Sequence, residues 1–88
     1  MGNFEKALKK LNEGTTLRID EGKLIARHYF GKPRKRGSHN IYSLPWQNAL
    51  LNIQADRSNK MKHYQQGQLK KFVNKLNDEE KKNVNKQF

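Results

Sequence analysis

Leu69, Phe72, Val73 and Leu76 fall at i, i+3, i+4 and i+7, so a helix through them carries a continuous apolar stripe. Lys70, Lys71 and Lys75 lie off that stripe and are solvated. Such a helix needs an apolar surface to cover. The segment 50–55 offers one, because Leu51, Ile53 and Ala55 alternate with Leu50, Asn52 and Gln54. A strand with one apolar face and one largely polar face belongs to an antiparallel sheet covered on one side only. With 88 residues there is room for one domain and one modest core built on that contact.

The remaining segments can be placed around this pair. Asn3 is suited to cap a first helix with Phe4, Ala7, Leu8 and Leu11 along one face, ended by Glu13-Gly14-Thr15-Thr16. This helix is short and lysine-rich on its other side, so it is expected to dock on the domain. Asp20 or Thr16 caps a second helix over about 20–29, with Leu24, Ile25 and Tyr29 inward and Gly22 weakening it. Gly31 and Pro33 close it. Strands follow at 34–36 and 39–43, joined tightly or by a bulge at Gly37-Ser38, and Leu44-Pro45-Trp46-Gln47-Asn48 turns the chain into the third. The last helix starts around Tyr64. Asn77-Asp78-Glu79-Glu80 has capping-box character, which predicts a break there and a polar end beyond it. The expected fold class is α+β, a small two-layer domain with two helices on one sheet face. Residues 1–16 form a helical extension, 17–77 the domain and 78–88 a polar tail.

Charge narrows the partner. Lys and Arg number 19 against 8 acids, a formal charge of +11, and between residues 22 and 77 the only acid is Asp56. A solvated surface explains dispersed charge but not so long a stretch nearly free of acids. The reading is a polyanion, with nucleic acid first, acidic protein second and a membrane surface third. The absence of cysteine excludes disulfides and thiolate metal sites. No apolar run approaches a membrane span and the N-terminus has no signal-peptide core, so a cytoplasmic location is the expectation.

The densest chemistry lies in Lys32-Pro33-Arg34-Lys35-Arg36-Gly37-Ser38-His39-Asn40-Ile41-Tyr42. Cations attract phosphate, glycine admits close backbone approach, and histidine moves protons near neutral pH. Cleaving RNA without a metal needs a base for the 2′-OH, an acid for the leaving 5′-oxygen and cations on the phosphate. His39 is the candidate for proton transfer. Arg34, Lys35, Arg36, Gly37 and Ser38 are candidates to hold phosphate, joined by Lys60 and Lys62 ahead of the last helix. His63 is either a second proton carrier or a functionless helix opener, and ranks below His39. His28, beside apolar residues, reads as a packed side chain. Tyr42, Trp46 and Tyr64 are candidates to stack on bases, with Trp46 first; core or edge packing is at least as good a reading of the two tyrosines. The three histidines have no metal-ligand spacing, so no metal or other cofactor is expected.

Gly37-Ser38-His39 followed by Tyr42, together with Lys62-His63-Tyr64-Gln65 at the opening of the last helix, resembles HicA-type toxins of bacterial toxin–antitoxin pairs. Some members have a Lys-Pro-Tyr-Gln stretch at that second place. The resemblance covers roughly residues 17–76. It implies a fold like that of double-stranded-RNA-binding domains and a metal-independent mRNA endoribonuclease that stops translation, with His39 catalytic. It also implies single-stranded mRNA as substrate, a monomeric free toxin, and a HicB-type antitoxin that binds it in a hetero-oligomer. His63 in place of proline, the first helix and the acidic segment after Leu76 depart from the pattern. The alternative is a non-catalytic RNA-binding module.

Overall fold

The computed structural model describes residues 2–46 and 48–86, with side chains through residue 80. The chain runs α1 (Asn3–Glu13), α2 (Ile19–Phe30), β1 (Arg34–Arg36), β2 (His39–Ser43), β3 (Leu50–Ile53) and α3 (His63–Lys86). It is a small α+β fold of three helices and a three-stranded antiparallel sheet in the order β1-β2-β3.

Local chemistry sets most of the boundaries. The first helix begins one residue earlier than expected, with Gly2 rather than Asn3 at its cap, and the Gly2 N–H donates to Glu5 at 3.3 Å. Its far end is a Schellman-type stop: Gly14 takes a φ of 81° and the Thr15 N–H donates to the Lys10 carbonyl at 3.0 Å. At the start of α2, Glu21 reaches back to the Arg18 N–H at 2.9 Å and to Lys10 Nζ at 2.8 Å. One carboxylate thus caps α2 and ties it to α1. Gly22 lies where α2 passes the Met61 side chain, since a Cβ there would collide with the Met61 sulfur. The glycine that weakens the helix locally is what lets the helix dock.

The helices α2 and α3 cover one face of the sheet, and α1 packs on α2 and α3 without reaching it. The core between them holds Ile25, Ala26, Tyr42, Leu51, Ile53, Met61, Leu69 and Val73, and α1 adds Ala7 and Leu11. Leu24, expected to face inward, is instead 40% exposed, because Ile25 and Ala26 take the buried side of that turn. Two glutamines at the start of α3 replace apolar contacts with hydrogen bonds. Gln65, 1% exposed, accepts from the Gln54 N–H at 2.8 Å, and Gln66 accepts from the Leu17 N–H at 2.8 Å and donates to the Thr15 carbonyl at 2.8 Å. They join the end of the sheet and the α1–α2 linker to one helical turn.

The expected break at Asn77–Glu80 is absent: α3 runs through it without interruption to Lys86. The reason is tertiary. Trp46 Nε1 donates to both oxygens of Glu79, at 2.8 and 3.0 Å, so a carboxylate inside the expected capping segment instead anchors the continuing helix to the β2–β3 turn. Residues 87 and 88, the last of the expected polar end, lie outside the described residues.

Candidate functional site

The uncovered face of the sheet follows from the register. Arg34 pairs with Ile41 and Arg36 with His39, while Ile41 pairs with Asn52 and Ser43 with Leu50. Directly paired residues share a face. Arg34, Arg36, His39, Ile41, Ser43, Leu50 and Asn52 therefore stand together, opposite the helices. Lys35 pairs with buried Asn40 and points to the other side. The cationic triplet that looks continuous in sequence is split by the two-residue period of the strand.

A two-residue hairpin presents His39. Arg36 and His39 are the last pair of the β1–β2 ladder, leaving Gly37 and Ser38 as the loop. Gly37 has a φ of 59° and Ser38 does not share the positive sign, the type II′ pattern that calls for glycine at the first position. The His39 side chain is exposed, and its Nδ1 lies 3.0 Å from Asn52 Nδ2. That amide can meet the ring in two senses. With the amide nitrogen donating to a bare Nδ1, the ring proton sits on Nε2. With the amide turned over, Oδ1 accepts from Nδ1–H and Nε2 becomes a free base. Asn52 Oδ1 is buried and has no hydrogen-bond partner among the described residues, so the amide has an acceptor in reserve.

A second chain of contacts fixes the hairpin tip. Gln54 Nε2 donates to Ser38 Oγ at 3.0 Å, and Lys62 Nζ donates to Gln54 Oε1 at 3.2 Å. Ser38 and Lys62 are thereby brought together, as the sequence suggested, with Gln54 as an intermediary it did not. Tyr64, in the first turn of α3, is 62% exposed, and Gln65, which holds the Gln54 backbone, donates to its hydroxyl at 3.2 Å.

Other expected residues lie elsewhere. Trp46 is not beside His39. It sits in the β2–β3 turn at the opposite end of β2, some 13 Å along the strand at about 3.3 Å per residue. Its ring is already engaged, with Phe72 at 5.7 Å, Phe30 at 6.4 Å and Lys75 Nζ 4.4 Å from its centroid. Base stacking by Trp46 is therefore corrected to a packing role, and among the three candidate aromatics Tyr64 is the exposed one. Tyr42 is 1% exposed and belongs to the core; burial pushes its phenol above the ordinary value, with Arg27 pulling the other way. Lys60 is exposed in a loop held by Asp56, which accepts from the Ser58 and Lys60 N–H groups at 2.8 and 3.0 Å. It pairs with Arg18, and no contact among the described residues ties it to Ser38 or His39. His63 lines a groove with Leu11, Thr16 and Gln66 on the α1 side, apart from His39. His28, expected to be packed, is exposed, though its ring stacks on Phe4 with centroids 4.1 Å apart.

Among the described residues no group of three His, Cys, Asp or Glu side chains could hold a metal ion, and no helix is long and apolar enough to cross a membrane. No family model, curated protein or solved structure matches this chain.

Proposed function

We propose that this protein is a metal-independent endoribonuclease of the HicA toxin type, cutting single-stranded mRNA on the uncovered sheet face. The observation that carries this reading is an exposed imidazole, His39, held at Nδ1 by Asn52 and flanked on its own face by Arg36 and Arg34. An RNA phosphate drawn to the two guanidiniums lies beside Nε2. His39 then takes the 2′-OH proton, or gives one to the departing 5′-oxygen, as the 2′-oxygen attacks phosphorus. The P–O5′ bond breaks, leaving a 2′,3′-cyclic phosphate and a free 5′-hydroxyl. Gly37 and Ser38 hold the hairpin, Lys62 adds charge through Gln54, and Tyr64 offers a ring for a neighbouring base.

The helix pair behind a three-stranded antiparallel sheet is in keeping with a double-stranded-RNA-binding-domain type of fold. The same open, basic face suits a HicB-type antitoxin, whose acidic surface would cover His39 and stop cleavage in the bacterial cytoplasm.

One observation favours a second reading, a non-catalytic RNA-binding module. Among the described residues no other histidine or carboxylate contacts His39, and His63 lies on the α1 side. Incubating purified protein and single-stranded RNA in EDTA separates the two. The nuclease yields fragments ending in cyclic phosphate, and His39→Ala lowers the rate by about 10²–10⁴-fold with the fold intact. Intact RNA with wild-type protein, or equal cutting by the variant, leaves the binding module.

A further inference from the structure

The helix side of β1 carries a second concentration of charge. Between α2 and β1 lies a cleft of ≈ 470 Å³ whose cations are Lys23, Arg27, Lys32 and Lys35. Its volume is within the range of small-molecule sites. Leu24 and Pro33 supply an apolar wall, and Tyr42 closes the inner end. The one carboxylate on the rim, Asp20, faces the Arg18 guanidinium at 3.6 Å. None of the four cleft cations is in an ion pair among the described residues. Four like charges with a single carboxylate on their rim, itself facing Arg18, repel one another, so their grouping is not explained by stability.

Tyr42 supplies an independent pointer. The side chain is 1% exposed, yet it lines the cleft, and its hydroxyl makes no hydrogen bond among the described residues. A buried phenol normally finds a partner. The hydroxyl is not among the sealed, unpartnered atoms of the interior, so it opens on the cleft, where water or a ligand can meet it. A phenol O–H, a guanidinium and ammonium groups are all donors. Their common complement is an anion with several acceptor oxygens, and a phosphate matches better than a planar carboxylate.

We propose that the cleft between α2 and β1 binds a nucleoside monophosphate. The phosphate sits between Arg27, Lys35 and the Tyr42 hydroxyl, and the base rests against Leu24 and Pro33. The site is separate from His39, because Lys35 leaves β1 on the face opposite Arg34 and Arg36. Its occupancy does not depend on RNA cleavage.

The test is a titration of the full isotope-labelled chain with AMP, followed by NMR at the Tyr42 ring and Arg27 side chain. AMP should shift both saturably, and adenosine should bind at least about tenfold more weakly, since it lacks every charge-assisted contact. The Arg27→Gln/Lys35→Gln pair is on exposed positions and should keep the fold while losing about tenfold or more in affinity. Tyr42→Phe keeps the core filled and should weaken binding about tenfold or more, the scale of one hydrogen bond to a charged acceptor. His39→Ala should bind AMP as wild type does. Shifts without saturation, unchanged affinity in the paired variant, or equal affinity for hexaglutamate would each overturn the site in favour of unselective charge attraction.

Discussion

Asn52 holds the amide that meets the His39 ring, and its own Oδ1 is buried without a partner. With Nδ2 toward the ring, the orphaned acceptor costs about 1–3 kcal/mol; with the amide turned over, Oδ1 accepts from Nδ1–H and the cost disappears. Either sense sets the imidazole, so the proposed cleavage depends on this side chain. Asn52→Ala removes the orphan with the orientation, and should lower cleavage by roughly 10–100-fold, the scale of a misplaced reacting group, with the thermal midpoint unchanged or higher. Asn52→Asp places a carboxylate beside Nδ1, favours the imidazolium, and should move whichever limb of the pH–rate profile His39 sets to higher pH: the acidic limb if it is the base, the alkaline limb if it is the acid. A profile that stays in place would make Asn52 a bystander. The same scale decides the aromatics. Trp46 and Tyr64 are both candidate stackers in sequence, but Tyr64 is exposed while Trp46 is half-buried against Phe72, and nothing in their immediate neighbours announces that difference.

Among the elements, α3 departs furthest from its local signals. Its stripe at Leu69, Val73 and Leu76 is legible, whereas Asn77-Asp78-Glu79-Glu80 reads as a stop followed by a new start. The helix continues because the β2–β3 turn lays Trp46 against Phe72 and bonds its indole N–H to Glu79, 33 positions away. Removing that ring should therefore be felt along the helix. Trp46→Ala should cost about 2–4 kcal/mol, somewhat below a fully buried tryptophan, and speed amide exchange from Asn77 onward. RNA affinity should be untouched at a temperature where the variant is folded. A loss of affinity with normal exchange would return Trp46 to the binding face. The hairpin is the opposite case, since Gly37 in a two-residue loop between short strands dictates both its geometry and the exposure of His39.

At the scale of the whole molecule, a chain of charge +11 depends on its few carboxylates more than most. Two of them titrate below their ordinary values. Burial pushes the Glu21 carboxyl up, but its bonds to Lys10 and to the Arg18 N–H outweigh that and hold it down. Asp56 is held down by the N–H groups of Lys60 and Ser58. Because both folded values lie below the unfolded ones, their stabilisation is complete above the ordinary carboxylate range, about pH 4–4.5, and is lost as pH falls below it. The thermal midpoint should hold from neutral pH down to about 5 and then fall. In Glu21→Gln/Asp56→Asn that acid limb should be shallower, with a lower plateau at neutral pH. An unaltered limb would show that other carboxylates carry it.

The amino-acid order alone determined the antiparallel sheet with one open face, the helix that covers it, the hairpin at Gly37-Ser38 and the exposure of His39. These are written in periods of two and 3.6 and in a single glycine, all within a few consecutive residues. Tertiary structure alone decided that Asn52 meets His39, that Gln54 links Ser38 to Lys62, that Lys35 parts from Arg34 and Arg36 into a cleft with Tyr42, and that α3 outruns its stop signal. Each of these joins residues distant along the chain, or faces of different elements. Register and packing set such distances, and no local pattern of residues encodes them.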